Sequence, residues 1–398
     1  MPQLTEPPGG KQHAAGNSKA PAMPDLDALC RALAALPALR GLAREALVPL
    51  ETSGIAHDHV RVAGARIDGR GVLARIPRLS QWGAAPEANL AYQAACFARA
   101  EASGHTPRLF ATLPVSDALP WGALVVEEIA GAKPRLPGGM AAIARCLAAL
   151  HGLPPPGPGE RPPLQSHDDP AAATLAVIEE QAGYLDDAGL APAARAAIEA
   201  ELAWAREFCD QADTPDPGAD HGPNRQSTQS PIALVATDSH PGNFLIEQPG
   251  GRAVLVDLEK MLYGSPAIDL AHATLYTSTR WDPDCAAALS PAETASFYRA
   301  YLGLAGAGAA RRLRPWLTPM RRLTWLRTTT WCVRWRVLSR REPADGAAGG
   351  WSAALLPPDL RAHIEANVAD YFDPDTIAGI TAEWRDGDGL AAALDPAA

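Results

Sequence analysis

The chain has 398 residues, 47% of them hydrophobic, and 45 acidic against 35 basic side chains leave a formal charge of −10. So much apolar residue supports a large core and allows two lobes. The acidic balance excludes a general nucleic-acid binder, which needs a basic face to neutralise phosphates.

Six cysteines, Cys30, Cys96, Cys146, Cys209, Cys285 and Cys332, lie far apart with no CxxC pair. Their spacing suggests neither a zinc site nor a disulfide framework, and buried free thiols are expected. The first residues lack the apolar run of a signal peptide, and no stretch reaches the roughly 18 apolar residues of a membrane span. The expectation is a cytoplasmic protein without a membrane partner, monomeric or homodimeric.

Residues 1–24 are rich in Pro, Gly and polar side chains and read as a disordered tail. DLDALCRALAALPALRGLAREAL then places leucines at helical spacing, with Asp25 or Asp27 positioned to cap a leading helix. From Val48 to Arg78 the texture becomes three short strands joined by two turns, an antiparallel meander. A helix over 86–102 follows, opened by a proline and closed near a glycine. The strand GALVVEEIAG ends this small lobe, giving a nucleotide-binding lobe over 25–131. The lobe over 132–385 is mainly helical, with helices near 138–153, 171–188 and 191–211 and a polar Pro/Gly-rich loop at 213–231 expected to be mobile. Residues 386–398 form a tail.

Between residues 234 and 243 the chain reads LVATDSHPGN, and AVLVDLEK follows after a turn, QPGGR. Two apolar strands thus each end in an aspartate, and the hairpin between them returns Asn243 to the end where Asp257 lies. Phosphoryl transfer to an alcohol needs one carboxylate to orient the hydroxyl and take its proton, and oxygen ligands for Mg²⁺. Asp238 suits the first task, and Asn243 and Asp257 suit the second. A lone DxxxxN is common by chance, but its combination with two strands, the hairpin and the trailing GSPAIDLAH is not.

These segments resemble the aminoglycoside phosphotransferase and choline kinase superfamily, the small-molecule relatives of protein kinases. Its HGDxxxxN, IDxE and DLA segments correspond to ATDSHPGN, VDLE and GSPAIDLA. Asp238, Asn243, Asp257, Glu259 and Asp269 all match, while Ala236 and Thr237 stand where the family has His and Gly. The resemblance covers roughly residues 44–305. It implies an α+β, bilobal protein-kinase-like fold, with a small antiparallel sheet and one main helix in the N-lobe and a helical C-lobe. It also implies ATP (or GTP) and Mg²⁺ as cofactors, Asp238 as base, Asn243 and Asp257 as metal ligands, and Asp269 as a brace for the loops.

No lysine occurs between Lys19 and Lys133, so the cation that such a fold places on the phosphates is an arginine or is absent; Arg75 in VLARIPR resembles a substitution found in the family, with Arg78 as the alternative, and a guanidinium forks well onto phosphate oxygens. Ser53 and Gly54 in ETSGIAHDH resemble the loop that covers the phosphates. The family's helix glutamate falls on Gln93, so Glu87 or Glu101 pairs with Arg75, or a neutral hydrogen bond replaces the ion pair. The backbone of Glu127, Glu128 and Ile129 resembles the hinge that binds adenine, with the side chains pointing outward.

From Arg280 to Arg341 twelve arginines face only Asp282, Asp284 and Glu293. A polycationic acceptor would need the reverse balance, so a neutral or anionic small-molecule alcohol is expected. Trp316, Trp325, Trp331 and Trp335 interleave with these arginines, yet the apolar residues among them repeat at helical spacing and read as core packing. Two rival readings are an antibiotic-resistance kinase acting on aminoglycosides or macrolides and a non-catalytic nucleotide-binding regulator.

Overall fold

The computed structural model describes residues 25–51, 56–80, 82–213, 230–340 and 358–385. The expected tails at 1–24 and 386–398, most of the loop at 213–231, and Ser53 and Gly54 lie outside the described residues.

Helix α1 (Leu26–Ala34) opens the small lobe, with the Asp25 carboxylate capping the Asp27 and Ala28 amides. It is shorter than the leucine spacing implies. Pro37 begins a separate turn and Gly41 has φ +81°, so the chain leaves the helix although its leucines continue. Strands β1 (Leu47–Pro49), β2 (His57–Ile67) and β3 (Arg70–Pro77) form the expected meander. After helix α2 (Pro86–Ala100), strands β4 (Leu109–Leu113) and β5 (Ala123–Glu127) complete a five-stranded antiparallel sheet in the order β1-β2-β3-β5-β4.

All five β5 residues are buried, because both faces of the strand are covered. Ala123 and Val125 join Val60, Val62, Val72 and Ala74 under Leu29 and Leu33 of α1. Leu124 and Val126 pack on the opposite side with Leu90 and Phe97 of α2, in the core that continues into the second lobe.

The second lobe begins with β6 (Gly131–Ala132), α3 (Met140–His151), α4 (Pro170–Ala182) and α5 (Pro192–Asp213). Strands β7 (Ala233–Val235), β8 (Phe244–Glu247), β9 (Ala253–Leu255) and β10 (Leu262–Gly264) follow. Helices α6 (Pro266–His272), α7 (Tyr276–Thr279), α8 (Pro291–Ala305), α9 (Ala307–Leu338), α10 (Pro358–Tyr371) and α11 (Pro374–Arg385) complete it. Strand β6 pairs with β8 and β8 with β9, so the segment joining the lobes is stitched to the hairpin that carries Asn243 and Asp257. Gly131 is required at that seam, since a Cβ there would lie 2.7 Å from the Ile246 carbonyl oxygen.

The long helix α9 is a core element. Trp325 is fully buried and Trp335 nearly so, while Trp316 and Trp331 pack partly buried against the same core. Several of its arginines serve packing: Arg321 binds Glu383 and the Thr274 hydroxyl, Arg322 binds Glu201 and stacks on Trp204, and Arg334 binds Glu180. Among the described residues, no helix is long and apolar enough to cross a membrane.

Candidate active site

Strand β7 ends at Val235, and the next two residues turn sharply to present Asp238. Thr237 sits at φ +59°, a left-handed conformation that a β-branched side chain rarely adopts. What holds it there is Asp269 in α6. Its fully buried carboxylate accepts from the Ala236 amide at 2.7 Å, the Thr237 amide at 2.8 Å and His151 Nε2 at 3.0 Å. The Thr237 hydroxyl also donates to the Lys260 carbonyl at 2.9 Å, and Arg327 Nη2 donates to the Thr237 carbonyl at 2.7 Å. The cap of α6 is Ser265, so Asp269 braces the loop from inside the helix rather than by capping its start.

The loop then closes on itself. Asn243 Nδ2 donates to the Asp238 carbonyl at 2.7 Å, and the Asn243 carbonyl accepts from the Val256 amide at 2.9 Å. In the hairpin register Phe244 faces Leu255, which sets Asn243 beside the residues that lead to Asp257. The structure therefore brings Asp238, Asn243 and Asp257 together at one end of the ribbon. Lys133 clamps the loop from the hinge side, donating to the Gly242 carbonyl and pairing with Asp282 at 3.1 Å. Gly242 lies so close to Asp282 that a Cβ would come within 2.3 Å of its Oδ2.

Lys260 Nζ lies 2.6 Å from Asp238 Oδ2, an ion pair that sequence reasoning missed. Burial opposes ionisation of Asp238, but the positive groups around it, the Lys260 ammonium first among them, together hold the carboxyl well below the usual carboxylate range. His272, buried against the same carboxylate at 3.9 Å, is drawn down to about 3 by desolvation and is neutral. His240 is half-buried, with its ring 6.2 Å from that of His272.

On the small-lobe side, Arg75 is buried and its Nη2 lies 2.5 Å from Asp257 Oδ1 across the cleft. Burial works against the Asp257 carboxylate too, yet the guanidinium keeps its pKa below the usual value. Neither Glu87 nor Glu101 reaches Arg75: Glu87 stands exposed at the start of α2, and Glu101 pairs with Arg108 at 3.6 Å.

A neutral chain takes the place of the helix ion pair. In the sheet register His59 faces Arg75, and His57 shares that face. Arg75 Nη2 lies 3.1 Å from His57 Nδ1, and His57 Nε2 lies 3.0 Å from Gln93 Oε1 on α2. A guanidinium can only donate, so Nδ1 accepts and the imidazole proton sits on Nε2, facing the glutamine oxygen. Burial, then the Arg75 charge, depresses the pKa of His57 strongly, in keeping with a neutral ring. Glu259 Oε2 stands 3.5 Å from the same Nε2, and burial together with the Asp257 charge pushes its carboxyl up to about 7. Arg78, the alternative anchor, is engaged by Asp58 instead.

At the hinge, the Glu127 amide donates to the Arg108 carbonyl and the Glu128 amide to the Gly71 carbonyl. Their side chains differ from the outward expectation. The Glu127 side chain is buried against Arg70 and accepts from the Arg108 amide, and Glu128 pairs with Arg61. The sheet takes up these charges because Arg61 and Arg70 lie on strands next to the hinge.

Comparison with solved structures finds chains of similar fold. Choline kinase from Cryptosporidium parvum superimposes with a TM-score of 0.53 at 11% identity, over 87% of this chain and 93% of that one. An ethanolamine kinase from Plasmodium vivax gives 0.48 at 15% identity, covering 80% and 85%. A macrolide 2'-phosphotransferase from Brachybacterium faecium gives 0.47 at 19% identity, covering 84% and 98%. A search of curated proteins returned no match. The sequence itself matches the profile of the phosphotransferase enzyme family over residues 49–316, which is most of both lobes, and the chain belongs to that family.

Proposed function

We propose that this phosphotransferase moves the γ-phosphoryl group of ATP (or GTP) onto a hydroxyl of a small molecule, with Asp238 as the base. The observation that carries the reading is the convergence of Asp238, Asn243 and Asp257, fixed through the Asp238 carbonyl and the Val256 amide. Held ionised by Lys260, Asp238 can accept a hydrogen bond from the acceptor hydroxyl and take its proton. Arg75, at the cleft edge of β3, holds the phosphates with its fork of donors. Among the described residues, no backbone partner takes up the Ile129 amide at the hinge, which makes it the donor available to adenine.

The donor set suits Mg²⁺. Asn243 uses its amide nitrogen on the Asp238 carbonyl, which leaves Oδ1 as an acceptor, and Asp257 has a second carboxylate oxygen beyond the one that Arg75 engages. Both are hard oxygen donors, and a magnesium ion bound by one or two such groups completes its shell with phosphate oxygens and water. When bound, the ion neutralises charge on the phosphates; Asn243 and Asp257 would hold it.

The acceptor is neutral or anionic rather than polycationic. The arginine surplus of α9 supports this less directly than the sequence suggests, since Arg321, Arg322 and Arg334 pair with glutamates inside the lobe. Stronger support comes from the loop, where Asp238, Asp257 and Asp282 each already face a cation. Asp238→Ala is expected to abolish phosphoryl transfer to any alcohol while Mg·ATP still binds; turnover at the wild-type rate rejects the assignment of the base.

A further inference from the structure

One cation beside the base has no such counterpart. Arg327 projects from α9 to the Thr237 carbonyl, next to Asp238, and among the described residues no carboxylate lies within ion-pair distance of it. The other acidic groups of the loop are engaged: Asp257 by Arg75, Asp282 by Lys133, Asp238 by Lys260, and Asp269 by two amides and His151. Burial draws the pKa of the guanidinium below its ordinary value, although Asp238 and Asp269 act in the other direction. Arg327 is half-buried, and of the five N–H donors that a guanidinium carries the Thr237 carbonyl takes one.

The surroundings extend this into a binding surface. One turn further along α9, Trp331 is half-buried and meets Trp281 edge to face, with ring centroids 5.6 Å apart. Trp281 directly precedes Asp282, whose carboxylate lies against Gly242 in the loop that follows the base. Beside Asp238, buried His272 has an Nδ1 atom without a hydrogen-bond partner.

We propose that Arg327 binds an oxyanion carried by the acceptor, so that the substrate is a hydroxy acid or a phosphorylated alcohol, with the indoles of Trp281 and Trp331 offering apolar surface to its body. The inference rests on the reading of Asp238 as the base that meets the acceptor hydroxyl. A planar fork of donors suits a carboxylate or a phosphate ester equally, and both are excluded by a site made for polycations.

Isothermal titration tests it. D-glycerate, glycerol 3-phosphate, glycerol and ethanolamine are titrated into the full chain, with and without saturating Mg²⁺ and the non-hydrolysable analogue AMP-PNP. With nucleotide present, an acid cannot simply occupy the place of the transferred phosphate. The acids are expected to bind at least roughly tenfold more tightly than glycerol, the margin of one charge-assisted contact. The better of the two acids tells carboxylate from phosphate. Arg327→Gln is expected to remove that margin, and Arg327→Lys, which keeps the charge and a donor for the Thr237 carbonyl, to retain part of it. Glycerol or ethanolamine binding as tightly as both acids overturns the proposal, as does a margin that survives in Arg327→Gln. If Arg327→Gln does not fold, the wild-type order and Arg327→Lys decide. AMP-PNP and GMP-PNP titrated alone address the phosphotransferase reading separately: failure of both to bind counts against that reading, while the acid titrations without nucleotide still report on Arg327.

Discussion

Asp269→Asn is the substitution whose cost the structure allows to be worked out. The side chain keeps its shape, but one carboxylate oxygen becomes an NH₂ group. Oδ2 serves the Ala236 amide and His151, whereas Oδ1 serves the Thr237 amide alone, so the least damaging orientation turns the NH₂ toward Thr237. Two donors then face each other, leaving a buried N–H unsatisfied at about 1–3 kcal/mol. The two remaining bonds lose their charge assistance, about 1 kcal/mol each. Release of a buried charge offsets a part. The expected loss is about 3 kcal/mol, read as a lower urea midpoint at unchanged slope. Because Thr237 is held in its left-handed conformation by this carboxylate, kcat is expected to fall further than the unfolded fraction explains. A loss under about 1 kcal/mol with normal kcat would refute the bracing role, since it would fall below the cost of even one unsatisfied buried donor.

Removing the ammonium in Lys260→Met is expected to let the Asp238 carboxyl rise toward the ordinary value of about 3.9. Its folded-state pKa is now depressed, so the base stays ionised as pH falls; in the variant the acid limb of the kcat/KM profile moves to higher pH, and an unmoved limb would dissociate the ion pair from the rate. His57→Leu cuts the chain from Gln93 to Arg75 without touching the loop of Asp238. The KM for ATP is expected to rise about tenfold or more with a smaller change in kcat, since one hydrogen bond to a charged group is worth about 1.5–3 kcal/mol, and equal falls in kcat and kcat/KM would place His57 in another role.

The hairpin between Asn243 and Asp257 was legible because its signals are local. Two apolar runs, a Pro-Gly-Gly turn and three oxygen-bearing side chains within twenty residues define both a ribbon and a donor set, and no distant contact has to be guessed. The partner of Arg75 was not legible for the opposite reason. Asp257 stands 182 positions away in sequence, and His57 is aligned with the arginine only by the register of β2 on β3. Leucine periodicity overextended the first helix because the spacing persists beyond Pro37, where the backbone cannot follow. One overlooked clue was compositional. The chain has four lysines in all, and the two within the described residues, Lys133 and Lys260, flank the loop of Asp238 on either side. In a chain that otherwise uses arginine, a compact ammonium at those places was worth weighing.

The bond between Arg75 and Asp257 works as a latch across the mouth of the enzyme. It ties the sheet to the hairpin through the two side chains proposed to receive the triphosphate and its metal. On that proposal, nucleotide arrival would exchange partners rather than create contacts from nothing: Arg75 would turn to phosphate oxygens and Asp257 would be freed to hold the ion. Affinity for nucleotide would in that way be discounted by the strength of the latch, and added salt, which screens charge, would weaken both sides of the exchange at once.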